Sequence, residues 1–432
     1  MHIAIITAGG AGMFCGSCMH DNTWARALMA AGAEVSLIPT YTPIRVDEAD
    51  VSSQHVFFGG INVYLASKWR WWRAVPSFVR RWLDHPAFIR LATRKAVSND
   101  AAQLGQLTLD MLAGESGPQC EQVIELAQFL GEQLRPDIVL FSNALLAGAV
   151  RRIKQVFNGP VICVLQGDDI FLDSLPESHR EEVMSVLRER VRDFDGFITH
   201  SRYYAEHMVA ELALPLDRFH QLPLGIDLTG QDGQPRPAGD PFTVGYFARL
   251  CPEKGLHLLV EAFSRLHTKH PRTRLRIGGY LGERDRLYFE QVRSQAVRLG
   301  CACEFVGSPA TQAEKVEFLK SLDVLSVPTV YREPKGLSIL EALANGVPVV
   351  QPAHGAFPEL LAATQGGLLF EPGNLDDLIT KWESLLLNPD ARLRFASTGQ
   401  MQVRERYSSQ VMARQSIQLL ESLTRRSETV RP

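Results

Sequence analysis

Apolar, largely β-branched stretches of strand length alternate along the whole chain with longer segments of helical period. That is the rhythm of parallel sheets joined by crossover helices. In the first half the strand stretches cover 3–7, 34–39, 137–142, 160–166, 196–199 and 219–223. In the second half they cover 243–247, 275–278, 303–306, 323–327, 347–351 and 367–370. Few alternate apolar with polar residues, as expected of strands covered on both faces. The pattern predicts two Rossmann-like α/β domains, with a ligand cleft expected at the carboxyl ends of the strands.

The segment 227–240 is rich in Gly, Pro, Asp and Gln and cannot build a core, so the interdomain linker is placed there. The expected organisation is an N-terminal domain over 1–230, a second domain over 241–407, and a C-terminal helix over 408–432. The first domain carries an excess at about 43–133, including a hairpin of 55–58 with 62–65 around Gly59 and Gly60, followed by helical stretches. An insertion of that length is usually functional.

At 432 residues, a two-domain reading suits the length, and 45% hydrophobic with 22% charged residues is ordinary globular composition. The net charge of −3 gives no global pull toward nucleic acid, and no partner of that kind is expected. No run approaches the ~20 apolar residues of a membrane span. The opening run ends at Thr7 and reads as a buried strand entering a glycine loop rather than a signal peptide. Seven cysteines without framework spacing fit a reducing cytoplasm.

The densest chemistry lies at 327–350, which reads strand, loop, short helix, glycine stop, strand. Pro334 keeps Glu333 out of the helix. The helix opens near Gly336, Leu337 and Ser338 and closes at Gly346. Its first turn offers unpaired backbone N–H groups, and Gly336 lets an anion come close to them. Glu341 sits about one turn in. Two carboxylates flanking an anion-binding helix start suit a ligand with hydroxyls at both ends and phosphates between, which describes a nucleotide sugar.

Glu333 and Glu341, seven residues apart between them, with the Gly-Leu-Ser and Leu-Glu-Ala-Leu-Ala-Asn-Gly-Val-Pro-Val-Val text around them, resemble glycosyltransferase family 4. This is the large retaining family of GT-B fold. The resemblance implies that Glu341 binds the ribose hydroxyls of the donor and Glu333 those of the transferred sugar. It places the amides of Gly336 and Leu337 at the phosphates. The block Gly245-Tyr-Phe-Ala-Arg249-Leu-Cys-Pro-Glu-Lys254-Gly255, with Ala262-Phe263 beyond, resembles another of the family's motifs. Arg249 and Lys254 are then the cations for the leaving diphosphate. Residues 354–359 resemble the family's Gly-Gly-x-x-Glu loop with Gly355 in place, but Ala356 replaces the second glycine. Glu359 equally reads as an acid at a helix start.

In the first half, the loop from Gly9 to Gly16 lacks the third glycine of a dinucleotide-binding turn, and no acid ends the second strand. NAD binding is disfavoured. By resemblance this loop faces the donor phosphates, through glycines such as Gly10 and Gly12. Gln166 stands where many family members carry a histidine, and a glutamine cannot titrate near neutrality. Asp168 or Asp169 then remains to orient or deprotonate the acceptor, or to cap a turn. Ser201 reads as a helix N-cap. Cys15 and Cys18, with His20 near, lack the second pair of a zinc set and read as incidental thiols, so no metal is expected.

From Lys68 to Arg81 the chain interleaves Trp69, Trp71 and Trp72 with Arg70, Arg73 and Arg80. This suits either a helix pressed on anionic headgroups or an amphipathic cover over the first domain's core. The reading that results is a retaining glycosyltransferase, needing no cofactor, that moves a sugar from a nucleoside-diphosphate sugar to a hydroxyl acceptor. It would work in the cytoplasm, with peripheral membrane contact through Lys68 to Arg81 left open. The alternatives are an epimerase or hydrolase of nucleotide sugars on the same fold, or a non-catalytic binder.

Overall fold

A computed structural model describes residues 1–9, 15–53, 56–57, 101–237 and 239–429. The chain falls into two compact units, one of Met1–Leu222 with Met412–Pro432 and one of Pro223–Val411. Among the described residues each unit holds one six-stranded parallel sheet. The hairpin expected at 55–65 and the basic, aromatic stretch from Lys68 to Arg81 lie outside the described residues, apart from Val56 and Phe57.

In the first unit the strands are β1 (His2–Thr7), β2 (Glu34–Pro39), β3 (Ile138–Phe141), β4 (Val161–Val164), β5 (Gly196–Thr199) and β6 (Phe219–Gln221). Their order is β2-β1-β3-β4-β5-β6. Successive residues serve opposite faces: Ala4, Ile6, Val139 and Phe141 join one core cluster, and Ile3, Ile5, Ile138 and Leu140 join another. Because both faces are covered, neither position in the two-residue period is free to be polar, which is why these strands read as unbroken apolar runs. The helix Ser409–Thr429 adds Met412, Ala413 and Leu420 to the second cluster. It is pinned there by Trp24, whose indole N–H donates to Ser416 Oγ at 2.8 Å. Within the expected insertion, the helices Ala101–Leu112 and Cys120–Gln128 bury Leu112, Val123 and Leu126 in the first cluster.

In the second unit the strands are β7 (Phe242–Phe247), β8 (Thr273–Gly278), β9 (Cys303–Gly307), β10 (Val324–Leu325), β11 (Val349–Pro352) and β12 (Gly367–Phe370). Their order is β12-β11-β10-β7-β8-β9. The chain leaves β7 toward one edge of the sheet and returns at β10 toward the other. The gap outside the carboxyl ends of β7 and β10 is therefore a topological switch point, where open parallel sheets hold their ligands. The polar stretch before β7 is tied into this unit through its amides. Gln231 is buried and its Oε1 accepts from Asn345 Nδ2 at 2.5 Å, while the Gly233 carbonyl accepts from Gln400 Nε2 at 2.7 Å.

Candidate active site

Three loops meet at the switch point of the second unit. The loop after β7 carries Arg249 and, at the end of a short 3-10 turn Pro252–Lys254, Lys254. The loop after β10 carries Tyr331 and Glu333 and leads into the helix Leu337–Ala344. The loop after β11 carries His354 and Gly355 and leads into the helix Phe357–Thr364.

Glycines set how close these loops come. Gly255 has φ +70°, and a Cβ there would lie 1.9 Å from the Pro328 carbonyl oxygen. Gly355 has φ +63°, and its Cβ would lie 2.5 Å from the backbone oxygen of Glu333 and 2.6 Å from its nitrogen. In both cases the obstacle is backbone, which cannot rotate aside. Main-chain bonds complete the join: Val330 N–H donates to the Glu253 carbonyl at 3.0 Å, and Ala356 N–H to the Glu333 carbonyl at 2.8 Å.

Within this frame Lys254 Nζ donates to Glu333 Oε2 and to Tyr331 Oη, each at 2.5 Å, and Tyr331 Oη donates to the same Glu333 oxygen at 2.6 Å. The ammonium also lies 4.9 Å from the Tyr331 ring centroid. Glu333 is 8% exposed. Burial pushes its carboxyl up, but the charge and hydrogen bond of Lys254, with the Tyr331 hydroxyl, hold it down to about 2. It is an anion at any physiological pH. Arg249 lies in the electrostatic reach of Tyr331, Glu253 and Asp285, and its carbonyl accepts from the Tyr246 hydroxyl at 2.8 Å.

The helix Leu337–Ala344 begins at Gly336, whose φ of +99° places it in the left-handed region. No side chain caps this start and no acid occupies its first turn. Backbone bonds to the Gly336 carbonyl begin only with Ile339 and Leu340. The N–H groups of Leu337 and Ser338 thus stand ahead of the helical ladder, and the dipole leaves the opening positive. One turn on, Glu341 Oε1 accepts from Lys315 Nζ at 2.7 Å.

The structure therefore gathers Arg249, Lys254, Glu333, Gly336, Leu337, Ser338, Glu341 and Gly355 on one end of one sheet. Gly245 lies inside β7, where a Cβ would come within 2.2 Å of Leu322 Cδ1, so the missing side chain makes room for packing. Gly10 and Gly12 lie outside the described residues. Asp168 belongs to the first unit, where its two oxygens accept the N–H groups of Ala144 at 3.2 Å and Gln166 at 3.3 Å, stapling the loops after β3 and β4. Burial, with the charge of Asp169, raises its carboxyl to about 7 against the pull of those amides. Gln166 Nε2 donates to Asp21 Oδ1 at 2.8 Å, and Ser201 caps its helix by accepting from Tyr204 N–H at 3.2 Å. Among the described residues no group of three or more His, Cys, Asp or Glu is placed to hold a metal ion.

Two residues escaped the sequence reading. Tyr331 sits in a loop, where no periodicity marks it. Lys315 carries a weak signal: it lies one turn before the fully buried Leu319 on the helix Gln312–Lys320, so a lysine occupies an inward position.

Residues 231–402 match the family model described as "Glycosyl transferases group 1". Glycogen synthase of Mycobacterium tuberculosis is 27% identical over 288 residues, covering 66% of this chain and 68% of that protein. Phosphatidyl-myo-inositol mannosyltransferase of Mycobacterium leprae is 30% identical over 207 residues, 47% of this chain and 53% of that protein. This chain is a glycosyltransferase. Among solved structures, sucrose-phosphate synthase of Thermosynechococcus elongatus superposes with a TM-score of 0.72 at 18% identity, over 98% of this chain and 99% of that one. Anabaena Alr3699/HepE, solved in complex with UDP, superposes with a TM-score of 0.67 at 18% identity, over 98% of this chain and all (100%) of that one. At such identity the likeness speaks for the fold, and the glycosyltransferase has the two-domain α/β GT-B fold. Among the described residues no helix of the glycosyltransferase is long and apolar enough to cross a membrane.

Proposed function

We propose that this glycosyltransferase moves a sugar from a nucleoside-diphosphate sugar to a hydroxyl acceptor with retention of configuration, gripping the donor in the second unit. The observation that carries this reading is the ionised Glu333, held by Lys254 and Tyr331 beside an uncapped helix start. Glu333 accepts hydroxyls of the transferred sugar, and Glu341 accepts those of the ribose. The N–H groups at Leu337 and Ser338, with Arg249 and Lys254, meet the diphosphate.

In the transfer the bond from the anomeric carbon to the diphosphate oxygen breaks while the acceptor oxygen attacks from the same face. The acceptor proton passes to the departing diphosphate oxygen. Charge develops on that oxygen, and fixed cations and N–H groups stabilise it without reorganising. A nucleoside diphosphate as donor is supported by the folded neighbours, since Anabaena HepE was solved with UDP and with UDP-glucose. A lipid-linked or cell-envelope acceptor, with membrane contact from Lys68 to Arg81, is supported only by that segment's basic and aromatic composition.

A calorimetric screen of UDP-, GDP- and ADP-sugars, followed by kinetics, tests the reading. Glu341→Ala is expected to raise the donor KM strongly and Lys254→Ala to lower turnover. The reading fails if the purified protein binds no activated sugar or nucleoside diphosphate, or if both variants turn over like the parent.

A further inference from the structure

Lys315 is 4% exposed, and its ammonium lies 2.7 Å from one carboxylate oxygen of Glu341. The two side chains are 5% and 13% exposed, on different helices, Gln312–Lys320 and Leu337–Ala344. Among the described residues no hydrogen bond reaches the other oxygen, Oε2. A pair of this kind is a poor source of stability, because desolvating both ions costs about as much as their attraction returns. Geometry offers a better account of it. The Glu341 side chain extends from one turn beyond the uncapped start of the helix, and Lys315 fixes which oxygen it presents.

We propose that Lys315 is a positioning residue that makes the donor site selective for a ribose carrying both hydroxyls; this rests on the donor assignment above. The ammonium has two consequences. It holds Oε1, so that Oε2 is presented in one orientation to accept from a vicinal diol. It also offsets the carboxylate's charge, which would otherwise repel a diphosphate seated a turn away at the helix start. Glu341 can then recognise two neutral hydroxyls beside an anion. A hydrogen bond to a charged acceptor discriminates against a ligand lacking the donor, because the partly buried carboxylate oxygen is left unpaired.

The test compares Kd by calorimetry for UDP, ADP and GDP, and for the 2′,3′-dideoxy counterpart of whichever binds most tightly. Proteins are the parent, Lys315→Met, Lys315→Arg, Glu341→Gln and the Lys315→Met/Glu341→Gln pair, each checked for native melting. The parent is expected to prefer the ribonucleotide by about tenfold or more. Lys315→Met should weaken both ligands through the unmasked carboxylate but the ribonucleotide more, bringing that ratio near one, and Lys315→Arg should retain most of the preference. Adding Lys315→Met to Glu341→Gln should change the ratio no further, since the lysine acts through the glutamate. The proposal is overturned if folded Lys315→Met keeps the parent's ratio, or loses both ligands equally. It is also overturned if the lysine still shifts the ratio without Glu341. If the parent binds none of the three diphosphates, the donor assignment itself falls; if it binds and discriminates while Lys315→Met does too, only the role of Lys315 falls.

Discussion

Replacing Lys254 with methionine should reverse the way the second unit responds to acid. In the folded chain the Glu333 carboxyl sits at about 2 against an ordinary 4.5. By linkage its ionisation stabilises the fold above pH 4.5 by about 3 kcal/mol, and that contribution fades as pH falls from 4.5 through 2. The sign rests on Lys254, because burial is the largest influence on this carboxyl and acts upward. Without the ammonium, burial is opposed only by the Tyr331 hydrogen bond and the smaller charge effect of Lys335, and the carboxyl is expected to move above 4.5. A raised acid works in the opposite sense: the folded chain binds the extra proton, so stability falls as pH rises from 4.5 through the new value.

At pH 7 the cost of leaving a buried carboxylate without its cation is about 3–5 kcal/mol. For a unit of this size that lowers Tm by roughly 10 °C. Calorimetric melts from pH 3.5 to 7.5, with hydrogen exchange of peptides spanning 325–345, read both the size and the sign. Glu333→Gln in the Lys254→Met background should recover most of the loss, since no charge then remains to be stranded. If Lys254→Met melts like the parent at pH 7 and keeps the parent's slope with pH, Glu333 is not held by Lys254.

Gly355→Ala should lower kcat/KM by tenfold or more with a stability loss of about 1–3 kcal/mol, because its Cβ would lie 2.5 Å from the Glu333 carbonyl oxygen at a positive φ; steady-state kinetics and thermal melts check this. Asp168, raised to about 7, should make the first unit less stable as pH climbs from about 4 toward 7, since the folded form holds a proton that the unfolded chain has released. In Asp168→Asn that slope should vanish from the melting profile. Anionic vesicles should co-sediment the parent but not a Trp71→Ala/Arg73→Ala variant; equal recovery of both proteins ends the membrane idea.

Glu333 and Glu341 were legible as a pair because the proline before the helix and the glycine after it mark where the helix starts and stops, and helix termini are local events. Lys315 and Tyr331 were not. Their importance comes from contacts across 26 residues to Glu341 and, for Tyr331, from joining Lys254, 77 residues away, to Glu333 in a loop with no periodicity to expose it. At Gly245 the sequence shows a glycine beside family-like text, and only packing reveals that a Cβ there would meet Leu322.

Among the described residues the sequence by itself determined the number and kind of sheet strands, since covering both faces of a sheet requires continuous apolar runs, and it marked helix starts such as those at Ser201 and Gly336. Only the tertiary structure decided which charges meet. Strand order brings the ends of β7 and β10 side by side, and Gly255 and Gly355 let backbones pass where any Cβ would collide. Proximity of that sort is a property of packing, and no local stretch of chain encodes it.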